Sequence, residues 1–221
     1  MTMLIAYTWN DKIVMMADSR SSAKDSEGKM VDFNDKATKI FPFNKRMVIG
    51  HSGLRKISVG GGQYVDLMQI IEHYLKIHQQ ILPTISGEEA LKGLIKMWNG
   101  ILSEKFGRQP TSVDAMYTLL LCKWEEVEPG RVLPKVYSYQ SQFGDIHTSK
   151  GAVAGDEEVY PIIIPYFESN IENMTFTASV EHFKKGFLEV IDKVDTVGGF
   201  IHVYVLESDS FKSHWLDHEF F

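Results

Sequence analysis

The chain reads as an α+β protein. Four strand-like runs come before any helical pattern, the helical stretches fall into two blocks of two, and strands return after each block. Segregated blocks of this kind place helix layers on antiparallel sheets, unlike the alternation that builds a parallel βαβ sheet. No internal repeat, low-complexity tract or Pro/Ser-rich linker interrupts residues 1–221, which therefore read as a single domain.

The elements follow in order. Residues 3–9 and 13–18 are apolar runs joined by Asn10-Asp11-Lys12, the pattern of an antiparallel hairpin. Residues 19–34 are polar and charged and read as a loop, and residues 36–42 and 46–51 give two more strands around Asn44-Lys45. From 63 to 82 the period becomes helical through Leu67, Ile71, Tyr74, Leu75 and Leu82. Ser86-Gly87-Glu88-Glu89 is a capping box, and Leu91, Leu94, Ile95, Trp98, Ile101 and Leu102 form one face of the helix behind it. Gly107 and Pro110 stop that helix. Strands return at 116–123, 135–139 and 145–154. A third helix lies within 156–169 despite Pro161 and Pro165. A fourth is capped by Thr177, with Val180, Phe183, Phe187, Ile191 and Val194 as its stripe, and the strand 200–206 precedes a polar, aromatic tail.

Composition narrows the function classes. Lysine plus arginine total 23 against 29 acidic residues, a net charge of −6. A mildly acidic surface repels phosphate backbones and anionic lipid, which argues against nucleic-acid and membrane-surface roles. No apolar run approaches the ~20 residues of a membrane span, and the N-terminus has no secretory pattern, so the expected location is the cytoplasm. The single Cys122 excludes an internal disulfide and a multi-cysteine zinc site, and in an apolar strand it reads as buried and inert. His214 and His218 have i,i+4 spacing, but two imidazoles in a tail are a weak metal signal. Gly60-Gly61-Gly62-Gln63 lacks the ending of a phosphate loop and reads as a flexible helix entry. His51 reads as a hydrogen-bonded strand-end histidine. No metal or organic cofactor is implied.

Several local motifs remain. Thr2 lies sixteen residues ahead of Asp18-Ser19-Arg20. An Asp-Lys dipeptide occurs in Asn34-Asp35-Lys36-Ala37-Thr38-Lys39-Ile40, and a strand ends in Val48-Ile49-Gly50-His51-Ser52-Gly53. Near the C-terminus, Asp195-Thr196-Val197-Gly198-Gly199-Phe200 leads into an apolar strand. In these motifs and in element order the chain resembles the proteasome-type N-terminal nucleophile (Ntn) hydrolases, and in particular the bacterial proteasome β-like subunits. The resemblance implies a four-layer αββα sandwich with two antiparallel sheets between helix layers. It further implies a threonine-dependent peptidase or amidase with Thr2, Asp18, Lys36, Gly53 and Asp195 as site residues. The implied partners are a peptide or amide substrate and further copies of the chain in rings or stacked rings. The sequence itself names neither the size of the assembly nor a regulatory ATPase.

The chemistry fits those residue types. A threonine hydroxyl is a poor nucleophile until a base takes its proton. An N-terminal threonine carries such a base in its own α-amine, whose ordinary pKa of roughly 7.7–8.0 is near working pH. Lys36 would favour the neutral amine and stabilise the alkoxide, Asp18 would hold Lys36, and the Gly53 N–H would receive the oxyanion. With Met1 attached the Thr2 nitrogen is an amide with no usable lone pair, so Met1 is expected to leave before the enzyme works. Three departures stand out, the first being that Asp195 sits one position closer to the glycines than the family's usual spacing. Ala154-Gly155-Asp156-Glu157 replaces the family's Gly-Ser-Gly, and Val197 stands where a second supporting serine is usual. They leave two rivals open: a non-catalytic scaffold subunit of the same fold, and an Ntn amidohydrolase acting on small molecules.

Overall fold

A computed structural model describes residues 3–24, 30–60, 62–111, 116–208 and 212–220. Its elements run β1 (Leu4–Trp9), β2 (Lys12–Asp18), β3 (Ser21–Lys24), β4 (Met30–Asn34), β5 (Ile40–Phe43), β6 (Met47–Gly53), β7 (Lys56–Gly60) and β8 (Gln63–Asp66). Helices α1 (Leu67–Ile77) and α2 (Gly87–Phe106) follow, then β9 (Tyr117–Glu128), β10 (Arg131–Gln140), β11 (Ile146–Ser149) and β12 (Gly151–Ala154). The chain closes with α3 (Tyr160–Glu168), α4 (Phe176–Lys193), β13 (Phe200–Glu207) and β14 (Ser213–Phe220). This is an α+β fold with two large antiparallel sheets. One is ordered β12–β1–β2–β13–β14 and the other β11–β10–β9–β6–β5, with β3–β4 and β7–β8 as separate hairpins.

Strand alternation sorts the apolar residues into three clusters. Along β1, Leu4 and Ala6 join Ile40, Val48, Leu120 and Cys122 in a cluster drawn from both sheets. Ile5 and Tyr7, of opposite parity, pack with Phe183 and Phe187 of α4. On the second sheet, Ile49 and Leu121 pack with Leu91 and Trp98 of α2, while Val48 and Leu120 face the other way. Among the described residues no helix is long and apolar enough to cross a membrane.

The structure corrects several boundaries. The expected helix over 63–82 begins only at Leu67, where the Asp66 carboxylate accepts the Met68 N–H at 3.0 Å. The residues before it form β8, so the glycines at 60 and 62 serve a hairpin turn and not a helix entry. The α4 cap is Thr175, whose Oγ1 accepts from the Ala178 N–H, and Thr177 falls inside the first turn. The polar stretch expected as a loop contains the β3–β4 hairpin, and the tail pairs with β13 as β14. Residues 36–39 precede β5 and are not part of a strand.

Gly87 opens α2 against the second sheet, and a Cβ there would run into the Tyr137 ring and lie 2.8 Å from Leu121 Cδ2. Glycine to alanine within a helix ordinarily gains about 0.5–1 kcal/mol. Here overpacking, typically ~1–3 kcal/mol, should win and Gly87→Ala should lower stability. Urea unfolding reads the sign directly, and a more stable variant would show that the helix can move off the sheet.

Candidate active site

The triplet Asp18-Ser19-Arg20, at the end of β2, is held by a dense set of polar contacts. Asp18 is fully buried. Its Oδ1 accepts the Met3 backbone N–H and the Lys39 ammonium, each at 2.9 Å. Its Oδ2 accepts the Gly198 N–H at 3.1 Å and the Arg20 N–H at 3.2 Å. Lys39 also donates to the Arg20 carbonyl, and its side chain is 4% exposed. Burial pushes the Asp18 carboxyl up and the Lys39 ammonium down in pKa; their mutual attraction opposes both shifts, and the backbone donors around Asp18 also oppose the first.

The rest of the triplet locks the C-terminal Gly-Gly turn onto this pair. Ser19 Oγ donates to the Asp35 carbonyl at 2.7 Å and accepts the Phe200 N–H at 2.7 Å. Arg20 forms a bidentate pair with Asp35, Nε to Oδ1 at 2.8 Å and Nη2 to Oδ2 at 3.0 Å. The hydrogen bond from Arg20 holds the Asp35 carboxyl below its ordinary pKa. The guanidinium also donates to the backbone carbonyl of Asp195 at 3.3 Å. The two glycines are required by these contacts. A Cβ on Gly198 would lie 2.5 Å from Arg20 Cζ, and Gly199 has φ +79° with its missing Cβ pointed at Ser19 Oγ.

The expected site residues divide accordingly. Asp18 sits at the centre of the cluster. Lys36 is exposed, with its backbone N–H donating to Asn34 Oδ1, so the expected Lys36–Asp18 pair is corrected to Lys39–Asp18. The aspartate of the Asp-Lys dipeptide is held by Arg20, which turns the next side chain outward. The fourth residue on, Lys39, goes in beside buried Ala37 and Ile40. Asp195 is exposed; its carbonyl accepts from the Arg20 guanidinium, and its charge also acts on that group. Thr2 lies outside the described residues; the next residue in the chain, Met3, is buried and bound to Asp18.

Gly53 lies elsewhere in the same region. It lines a cleft of about 610 Å³ together with Ser52, Gln140, Asp156, Tyr160 and Thr196. Its φ is +101°, and a Cβ would stand 2.5 Å from the Met116 carbonyl oxygen, so no other residue fits. Both sides of the cleft lead to the buried pair. Thr196 is two residues from Gly198, which donates to Asp18, and the His51 N–H beside Ser52 donates to the Lys39 carbonyl at 3.0 Å. Asp156 Oδ2 accepts the Thr196 hydroxyl. Val197, where the resemblance sets a supporting serine, is buried in the α4-side apolar cluster. Cys122 is buried between the sheets and burial pushes its thiol up. Among the described residues no group of three or more His, Cys, Asp or Glu side chains could hold a metal.

Neither a family model nor a curated protein matches this sequence.

Two measurements check this geometry. Lys39→Met leaves the Asp18 carboxylate buried without its counter-charge and should cost about 3–5 kcal/mol, whereas exposed Lys36→Ala should stay within ~0.5 kcal/mol. Equal effects in denaturant titrations would overturn the assignment of Lys39. His51 is buried, its Nε2 has no partner among the described residues, and burial lowers its pKa to about 4. As pH falls below the ordinary imidazole value, the unfolded chain binds the proton first. The stability held above about pH 6.5 is therefore lost towards pH 4, by roughly 3 kcal/mol. Unfolding midpoints should fall less steeply with acid in His51→Gln; an identical slope would rule the histidine out as the cause.

Proposed function

We propose that the chain is a threonine-dependent N-terminal nucleophile hydrolase, proteasome β-subunit-like, cleaving peptide or amide bonds on a four-layer αββα sandwich. The three apolar clusters support the layering: one joins the two sheets and the other two join each sheet to its own pair of helices. The observation that carries the function is the buried Lys39–Asp18 pair, bound to the backbone N–H of the residue that follows Thr2. Two charges withdrawn from water are weak grounds for stability, because desolvation offsets most of their attraction. They are well suited to setting the charge environment of a reacting group beside them.

In this reading a chain beginning at Thr2 supplies both nucleophile and base. The α-amine takes the hydroxyl proton, directly or through one water, as Oγ1 attacks the scissile carbonyl. Lys39 replaces Lys36 as the activating charge, favouring the neutral amine and stabilising the developing alkoxide. Asp18 fixes the ammonium in place. Gly53, open to the cleft and without a side chain to block approach, offers its N–H to the oxyanion. Collapse of the tetrahedral intermediate breaks the C–N bond, the departing amine takes the proton from the Thr2 ammonium, and the acyl ester left on Thr2 is cleaved by water to the acid and the free threonine. The resemblance sets this chemistry in a cytoplasmic homo-oligomer. The non-catalytic scaffold is the second reading, favoured by the buried apolar Val197 and by Asp156, where the resemblance sets supporting serines.

The test is acylation by a threonine-directed electrophile, read as a mass increment on the intact protein. The form starting at Thr2 should be labelled and the form retaining Met1 should not. Lys39→Ala in a folded protein should lower the labelling rate by about 10²–10³, the scale of losing one stabilising group in the transition state. Equal labelling of both forms would show that the Thr2 amine is not the base. Labelling of neither would favour the scaffold.

A further inference from the structure

Asp156 follows β12 and forms part of the cleft wall. The residue is 8% exposed, and only one of its carboxylate oxygens is occupied. Oδ2 accepts the Thr196 hydroxyl, while Oδ1 is buried with no partner among the described residues. An unmade bond on a buried carboxylate is costly and calls for a donor. The surroundings narrow what that donor is. Glu157 and Glu158 line the same cleft and are exposed, no lysine, arginine or histidine among the described residues lines it, and the remaining wall includes Met116, Phe143 and Tyr160. Carboxylates repel an anionic ligand, and the aromatic and thioether surface suits an aliphatic stem ending in a cation.

We propose that Asp156 is the acceptor for an alkylammonium group in the cleft, so that the site takes substrates bearing a lysine-like basic side chain. This deepens the hydrolase reading by naming its substrate class. It rests on that reading only in treating the cleft as the substrate's. The same ammonium chemistry has a second source, the amino terminus of a chain beginning at Thr2, and the experiment separates the two.

The probes are N-acetyl-lysine methylamide and its uncharged analogue N-acetyl-norleucine methylamide, titrated into the full chain at low salt and followed by amide chemical shifts. Binding is read without hydrolysis, so an inactive protein still gives an answer and the electrophile result stands apart from this one. The lysine probe should bind about tenfold more tightly than the norleucine probe, with shifts at the cleft. Asp156→Asn keeps an acceptor for Thr196 and should abolish the preference, while Glu157→Gln with Glu158→Gln should retain most of it. In parallel, the pKa of the α-amine is measured in the chain beginning at Thr2. If the probes bind alike but Asp156→Asn lowers that pKa, Asp156 is the acceptor for the chain's own ammonium, and the proposed substrate class is overturned. If neither the preference nor the pKa responds to Asp156→Asn, the acceptor role itself is overturned.

Discussion

Burial of one ion pair organises this end of the molecule. Asp18 is withdrawn from water completely, and its two oxygens collect four donors from four parts of the chain: Met3, Arg20, Lys39 and Gly198. A carboxylate in that position cannot lose a donor cheaply, because the remaining charge would stay buried and unpaired. The constraint therefore fixes the start of β1, the end of β2, the approach to β5 and the Gly-Gly turn before β13 relative to one another. Arg20 and Ser19 extend the same lock outwards through Asp35 and the Phe200 N–H. Glycine at 198 and 199 follows from the lock, since a side chain at either position would displace the guanidinium or the Ser19 hydroxyl.

The cleft is the open side of this arrangement. Its walls include Ser52 and Gly53 at the end of β6, Gln140 at the end of β10, Asp156 beyond β12 and Thr196 beyond α4. Loops anchored on two sheets can hold polar groups in register more rigidly than loops free at both ends. The backbone bond from His51 to Lys39 and the short run from Thr196 to Gly198 tie both walls to the buried pair.

Much of the fold was legible because burial imposes a period. Apart from β14, the strands of the two sheets announce themselves as short apolar runs and the faces of α2 and α4 through 3.6-residue spacing, and Ser86 and Glu89 mark the start of α2 by reciprocal capping. The hairpins β3–β4 and β7–β8 were not legible, because they are short and mostly polar and lack a stripe to read. Asp18 was singled out by its motif. Lys39 was not, because a lysine's burial depends on where a carboxylate waits for it, and the Asp-Lys dipeptide of the resemblance pointed to Lys36. The available signal was the company it keeps: Lys39 lies between Ala37 and the apolar start of β5, whereas Lys36 follows an aspartate that Arg20 claims.

The same cluster explains why a positive charge so close by need not make the cleft attract anions. Lys39 is neutralised by Asp18 at 2.9 Å and screened from the opening by its burial, so its field falls off as that of a dipole. Among the described residues the Asp156 carboxylate is bound only to the neutral Thr196 hydroxyl, and Glu157 and Glu158 stand exposed beside it. The potential in the opening is therefore set by carboxylates, even though the group proposed to activate the nucleophile is a lysine. An amine brought into such a space feels two opposed influences: Lys39 favours its neutral form, and Asp156 favours its protonated form. A carboxylate at position 156, where the resemblance sets a neutral serine, would shift that balance towards the ammonium. In a hydrolase built this way the base would become available at a higher pH than with serine, and cationic ligands would be drawn to the same carboxylate that holds the base in check.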